Sequence, residues 1–134
     1  MKNERLRVLL LGDDTIRLAP LRQTLSRSAQ LTAAEDLPHA LSLLARVAFD
    51  VVFCDGRFYC GTWREALERI GTIYPELPVI VVSQANDQEA DEWAEVVAAG
   101  GFDLLPSASN ERATLALLEH AVASSEGRAL RSRA

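Results

Sequence analysis

Cysteines, aromatic residues and long apolar runs are all scarce in this sequence. Its 134 residues include two cysteines and only 6% aromatic residues. No apolar run approaches the roughly 20 residues that a membrane-spanning helix needs. Two cysteines cannot build a disulfide framework, which favours free thiols in a reducing compartment, and the N-terminus has no signal-peptide pattern. We therefore predict a cytoplasmic protein that has no contact with a membrane.

Positive charge is not in excess either. The chain carries 14 Lys and Arg residues against 19 Asp and Glu residues, which gives a net charge of −5. A general nucleic-acid surface normally requires a basic face. The two histidines, His39 and His120, lie far apart on predicted helices, and neither has a second ligand at metal spacing. We predict no direct nucleic-acid binding and no histidine metal site.

Strand-like and helix-like segments alternate five times along the chain. The strand-like runs cover residues 7–11, 31–34, 51–54, 78–82 and 102–106. The first, third and fourth are apolar without polar alternation, which is typical of strands buried in a parallel sheet, whereas residues 31–34 form a weak short strand at the expected sheet edge. Repeated βαβ units imply right-handed crossovers with helices on both faces. The predicted fold is α/β, with a five-stranded parallel sheet in the flavodoxin-like order 2-1-3-4-5.

The ends and faces of the helices can be predicted from capping residues and apolar spacing. Asp36 can cap the second helix, and Thr62 with Glu65 has the spacing of a capping box. Residues 56–61 are predicted to form a loop. The fourth helix is expected to bury the face formed by Ala90, Trp93, Ala94 and Val97. Residues 1–124 would form one domain, and residues 125–134 a linker or disordered tail that could lead to an effector domain.

Polar groups follow three of the predicted strands. Asp13 and Asp14 follow the first strand, Asp55 ends the third, and Ser83 ends the fourth. The carboxyl ends of parallel strands meet at one edge of a sheet, where such folds bind their ligands. Gathered carboxylates favour Mg²⁺, and a carboxylate beside a metal can attack phosphorus to form an aspartyl phosphate. Alternatively, these acids are simple caps at helix N-termini, Asp14 in particular.

The sequence resembles the receiver domains of two-component response regulators. The likeness is carried by residues 8–14, 49–55, 74–83 and 99–106 in this order and spacing. It implies that Asp55 is the phosphoacceptor for a histidine kinase and that Ser83 hydrogen-bonds the phosphoryl group. It also implies a Mg²⁺ site formed by Asp13, Asp14, Asp55 and the backbone carbonyl of Arg57.

Several positions depart from the pattern of that family. Gly12 stands where the family has its first acid, Ser107 where it has a lysine, and Leu104 where it has the aromatic residue of its switch. The loop after Asp55 carries Phe58, Tyr59 and Cys60. Asp14 could partly replace the missing acid, whereas Ser107 cannot replace the charge of a lysine.

Two interpretations of such a receiver stay open. In the first, Asp55 is phosphorylated and the domain controls an effector through protein–protein contacts. In the second, it is a phosphorylation-independent pseudo-receiver that acts as a dimerisation or docking domain, for which the acidic fourth helix offers a surface. A small flavodoxin-like cofactor-binding domain is a further alternative. However, the acidic stretch Gly12-Asp13-Asp14-Thr15 would repel the phosphate of a flavin. For either interpretation as a receiver, we predict no enzymatic activity beyond self-phosphorylation of Asp55.

Overall fold

The computed structural model describes residues 6–84, 89–106 and 109–133, and only the backbone of residues 89, 90 and 125–133. In chain order the elements are β1 (Leu6–Leu11), α1 (Ala19–Ser28), β2 (Ala29–Ala34), α2 (Leu37–Arg46), β3 (Val51–Asp55), β4 (Arg57–Phe58), β5 (Gly61–Thr62), α3 (Trp63–Ile73), β6 (Val79–Val82), α4 (Glu89–Ala98), β7 (Asp103–Leu105) and α5 (Glu111–Arg133). All five predicted strands and all five predicted helices are present.

The central sheet has five strands in the order β2-β1-β3-β6-β7, and every neighbouring pair is parallel. Since β6 and β7 are its fourth and fifth strands in sequence, the predicted order 2-1-3-4-5 is confirmed. In the register, Leu11 at the end of β1 pairs with Cys54, and Asp55 at the end of β3 pairs with Val82. The ends of these three strands therefore form one edge of the sheet.

Helices cover both faces of the sheet, because alternate strand residues point to opposite sides. On β1, Leu9 and Leu11 pack with the apolar residues of α2, α3 and α4. The intervening Val8 and Leu10 pack with the apolar residues of α1 and α5. The side chains of β3 are buried along its whole length. Because the middle strands are apolar on both faces, they read as continuous apolar runs in the sequence.

The predicted helix caps are present where the structure describes them. The Asp36 carboxylate accepts the backbone N–H of His39 at 2.9 Å, and the capping box of Thr62 and Glu65 opens α3. Each satisfies a backbone N–H in the first turn that has no partner within the helix. From its residue type and its place before the fourth helix, Asn86 is also expected to be a cap, but it lies outside the described residues.

The predicted inner face of α4 is wrong. Its fully buried residue is Val96, whereas the side chains of Trp93 and Val97 are 49% and 40% exposed. The indole N–H of Trp93 instead donates to the Asp103 carboxylate at 2.9 Å, across to β7. Among the strands, α4 makes its main contacts with the short edge strand β7, so only a narrow stripe of this helix is buried.

The structure also differs from the prediction in the loop after Asp55 and in the segment predicted as a tail. Residues 57–62, most of the predicted loop, form the antiparallel hairpin β4–β5, in which Arg57 pairs with Thr62. The helix α5 continues to Arg133, through the segment predicted as a linker or tail. The domain boundary near residue 124 stays a prediction. Within the described ranges, no helix is both long and apolar enough to cross a membrane.

Candidate functional site at the carboxyl edge of the sheet

Asp55 occupies the centre of this edge and is fully buried. Its Oδ1 atom accepts the backbone N–H of Gly56 at 2.9 Å and forms an ion pair with the guanidinium of Arg17. Its Oδ2 atom is the single buried side-chain nitrogen or oxygen, within residues 6–84, 91–106 and 109–124, that has no hydrogen-bond partner. One carboxylate oxygen is therefore fully engaged. The other makes no hydrogen bond of normal geometry, and the side chain of Gln84 lies near enough to lower the pKa of the carboxyl.

The environment of Asp55 has opposing effects on its ionisation. Burial raises the pKa of this carboxyl because the charged form loses its hydration. The hydrogen bond and the charge of Arg17 lower it, as do the Gly56 N–H and the side chain of Gln84. Burial dominates, so the pKa lies above its usual value.

Arg17 reaches the site from the connection between β1 and α1. The Asp14 carboxylate accepts the backbone N–H of Arg17 at 3.0 Å, which fixes the turn before α1. The same carboxylate lies 3.5 Å from Nε of Arg17, and the far end of the guanidinium pairs with Asp55. Arg17 thus bridges two of the predicted acids. The helix cap considered for Asp14 is not formed, because the N-cap position of α1 is Leu18 and has no side-chain cap; Asp14 fixes the turn that precedes the helix.

Sequence reasoning missed Arg17. Its one visible signal is the i, i+3 spacing from Asp14, which places the guanidinium beside an acid of the cluster. Its contact with Asp55 depends on the turn geometry and on the reach of a long side chain, and neither has a periodic signature.

Gly12 and Leu18 shape the side of the site that faces β1. A Cβ atom at Gly12 would lie 2.7 Å from Cδ1 of Leu18 and 3.1 Å from Cβ of Asp55. Leu18 is only 3% exposed, so it fills the space that an acidic side chain at position 12 would need. The side chain of Asp13 is exposed. The three predicted acids do come to this edge, but only Asp14 and Asp55 share a cation.

The remaining predicted groups are engaged by other side chains. The Ser83 hydroxyl is fully buried and donates to Oε1 of Glu92 at 2.7 Å. The backbone carbonyl of Arg57 accepts a hydrogen bond from Nε2 of Gln84 at 3.3 Å. Glu92 belongs to the acidic run on α4, where the composition gave no reason to single it out. Gln84, directly after Ser83, could have been found as a polar residue at a strand end.

The hairpin β4–β5 gives the site a bulky flank. Phe58 is 4% exposed, and a Cβ at Gly61 would lie 2.6 Å from its ring, so the close approach of Phe58 requires glycine. Cys60 at the tip has a φ of 62°, a left-handed conformation that is uncommon for a residue with a side chain. The backbone N–H of Trp63 then donates to the carbonyl of Gly56 at 3.1 Å, which anchors the start of α3 to the site.

Of the two positions where the family has a lysine and a switch aromatic, the structure describes only the second. Ser107, at the lysine position, lies outside the described residues. Leu104, at the position of the switch aromatic, is 6% exposed and belongs to the apolar core. A buried aliphatic side chain in that place has no polar group to follow a change at Ser83.

As arranged here, these residues do not fit a divalent metal. No group of three or more His, Cys, Asp or Glu residues that could hold a metal ion occurs in the described part of the chain. A magnesium site of hard oxygen ligands would need the carboxylates that Arg17 already contacts and the carbonyl that Gln84 already contacts.

The strand order is that of the flavodoxin-like fold, and solved receiver domains of response regulators share this fold with the chain. The signal receiver domain of an HD domain-containing protein from Pseudomonas fluorescens Pf-5 superposes with a TM-score of 0.84, at 24% identity over 98% of this chain and 96% of that chain. NtrX from Brucella abortus superposes with a TM-score of 0.82, at 21% identity over 94% of this chain and 29% of that chain. The predicted resemblance is confirmed for the fold.

Sequence comparison gives a likeness over part of the chain. No protein-family model matches the chain. The hydrogenase transcriptional regulatory protein HoxA of Cupriavidus necator is 30% identical over 89 residues, which are 66% of this chain. The match spans 18% of HoxA, so the chain corresponds to a small part of that regulator.

Proposed function

We propose that the chain is the receiver module of a two-component response regulator, with Asp55 at the phosphoacceptor position, and that it controls an effector through protein–protein contacts. The observation that carries this proposal is the placement of Asp55. It is fully buried at the end of the central strand of a receiver fold, with Oδ2 unbonded among the described residues. The likeness to a transcriptional regulator, of which the chain spans 18%, supports an effector outside this module.

In this proposal a cytoplasmic histidine kinase or a small phosphodonor supplies the phosphoryl group. A carboxylate oxygen of Asp55 forms the new bond to phosphorus, and the bond from phosphorus to the nitrogen or oxygen of the donor breaks with its electron pair. Oδ1 already accepts from Gly56 and Arg17, so Oδ2 is the oxygen with a lone pair to use. Because this atom is enclosed, the segment from Gly12 to Leu18 has to move before a donor can reach it.

Intact-mass spectrometry after incubation with acetyl phosphate tests this function. We expect a gain of one phosphoryl group in the wild type and none in Asp55→Ala. Asp91→Ala, which removes an exposed carboxylate on α4, is the matched control and should be labelled like the wild type. An unlabelled wild-type protein at millimolar reagent, with and without Mg²⁺, would contradict phosphoacceptance.

The second candidate is a phosphorylation-independent docking or dimerisation domain. It is favoured by the ion pair of Arg17 with Asp55 and by the bond from Ser83 to Glu92, which hold the site in one arrangement. The exposed Trp93 and Val97 on α4 offer an apolar surface for a partner or a second copy. Sedimentation of unphosphorylated wild type and Trp93→Ser would show whether that surface associates.

A further inference from the structure

The positive charge beside Asp55 is supplied by the chain itself. The guanidinium of Arg17 pairs with Oδ1 of Asp55 and lies 3.5 Å from Oδ2 of Asp14. Asp14 lies on the connection after β1, and Asp55 on β3, so one cation joins two acids from separate segments. The Arg17 side chain is 33% exposed and the Asp55 side chain 0% exposed, so the ion pair runs from the surface into the interior.

The groups that a divalent ion would use at this edge are the groups that this network already occupies. Asp14 and Asp55 contact Arg17, and the Arg57 carbonyl accepts from Gln84. A metal could gain these oxygens only by breaking bonds within the chain. The space for an acidic side chain at position 12 is also filled, because Cδ1 of Leu18 lies 2.7 Å from the place that a Cβ atom of residue 12 would occupy.

We propose that the Arg17 guanidinium is the resident cation of this site: it pairs with Asp14 and Asp55 in the place of a divalent metal, and Mg²⁺ has to displace it in order to bind. The inference rests on the proposed function in one respect, since the likeness to receiver domains is the reason to expect a metal here. The contacts that carry it are independent of whether Asp55 is ever phosphorylated.

Removing the guanidinium should open the site to metal. A buried carboxylate that loses its counter-ion is left with an uncompensated charge, and Mg²⁺ with its carboxylate preference can then compensate it. We expect Arg17→Met to bind Mg²⁺ about tenfold more tightly than the wild type or better, because an opposite charge at contact distance shifts carboxylate equilibria by at least that factor. Methionine keeps much of the length of the side chain and lacks the charge.

Isothermal titration calorimetry with MgCl₂ on the full chain is the experiment. Arg22→Met is the matched control, since it removes an exposed guanidinium five residues further along the chain, in α1, and should bind Mg²⁺ like the wild type. Asp55→Asn introduced into Arg17→Met should abolish the gained affinity. Tryptophan emission recorded in the same titration on variants that also carry Trp93→Phe follows Trp63, whose backbone N–H is bonded to the Gly56 carbonyl, and should change only when Arg17→Met is present.

Equal Mg²⁺ binding by the wild type and Arg17→Met, whether both bind or neither does, would overturn the inference. A gain that persists without the Asp55 carboxylate would overturn it too. These outcomes are distinct from a failure of the proposed function, which is decided by phosphoryl transfer to Asp55 and not by metal affinity.

Discussion

A buried carboxylate, one oxygen paired and the other enclosed, sets the energetics of this site at the scale of single residues. Burying an ion costs several kcal/mol, and a partner repays this only when the geometry is good and the remaining lone pairs are satisfied. Asp55 meets the first condition through Arg17 and Gly56 but not the second at Oδ2. We infer that folding tolerates this carboxylate and is not driven by it.

The pH dependence of stability should reveal this cost. The folded-state pKa of Asp55 is raised above the unfolded value of about 3.9. Between these two values the folded state binds more protons than the unfolded chain, so the contribution of Asp55 to the free energy of unfolding falls as pH rises. The stability of Asp55→Asn relative to the wild type should therefore increase with pH across this window.

Urea denaturation at a series of pH values from acidic to neutral measures this difference. Asp91→Asn, on the exposed face of α4, serves as the control for the removal of an acid as such. A relative stability of Asp55→Asn that decreases with rising pH would show that the ion pair with Arg17 outweighs the burial of the carboxyl.

Alanine substitutions at Gly12, beside Asp55, and at Gly71, away from it, test how tightly the site is packed. At Gly12 an added Cβ meets Leu18 at 2.7 Å, whereas at Gly71 in α3 it meets no atom within 4 Å. We expect Gly12→Ala to destabilise the fold by about 1 kcal/mol or more through overpacking. Gly71→Ala should stabilise it by roughly 0.5–1 kcal/mol, because alanine restricts the unfolded chain and favours helix.

Chemical denaturation of both variants checks this pair. A neutral or stabilising Gly12→Ala would mean that Leu18 moves aside without cost. In that case the space at position 12 could hold an acidic side chain after all.

At the scale of elements, each helix is held by the stripe that it buries against the sheet. In α3, Ile70 is fully buried, while Ile73, one turn later, is 54% exposed. Helix propensity is the same at both positions, so burial alone distinguishes them. The structure accordingly assigns the stabilising part of α3 to the face that carries Trp63, Ala66, Leu67 and Ile70.

Alanine substitutions at these two isoleucines test the assignment. Ile70→Ala should lower the free energy of unfolding by about 2–5 kcal/mol through lost burial and a cavity. Ile73→Ala should change it by less than about 0.5 kcal/mol. Similar losses in thermal or urea denaturation would place Ile73 in a contact that the folded monomer lacks, such as an interface between two copies.

At the scale of the whole molecule, the sheet could be predicted almost completely from the sequence. Its middle strands are apolar on both faces, so continuous runs such as Val79–Val82 mark them without ambiguity. The face of α4 was predicted wrongly because a large apolar residue, Trp93, was assumed to be buried. That helix lies over the narrow edge strand β7, where Val96 suffices and the indole bonds to Asp103.

The acidic residues of the candidate site could be predicted from the sequence, but the cation that pairs with them could not. Asp14 and Asp55 follow strands, and strand ends are visible in the sequence. The contact of Arg17 with Asp55 depends on a turn fixed by Asp14 and on the length of the arginine side chain. The position of Gln84 depends on a hydrogen bond to a backbone carbonyl. Long polar side chains leave no periodic trace, so the partners of a predicted site are harder to predict than its position.

The two free thiols of this chain differ in a way that matters for handling the protein. Cys54 is buried beneath the site, and Cys60 is exposed at the tip of the hairpin β4–β5. Burial raises the pKa of the Cys54 thiol and keeps it away from oxidants, so it cannot serve as a resolving partner for Cys60 in the folded state. Air oxidation is therefore expected to link the Cys60 thiols of two molecules and not to form a disulfide within one. A dimer that disappears when reductant is added would be such a disulfide-linked species and should be excluded before any dimer is assigned to the native fold.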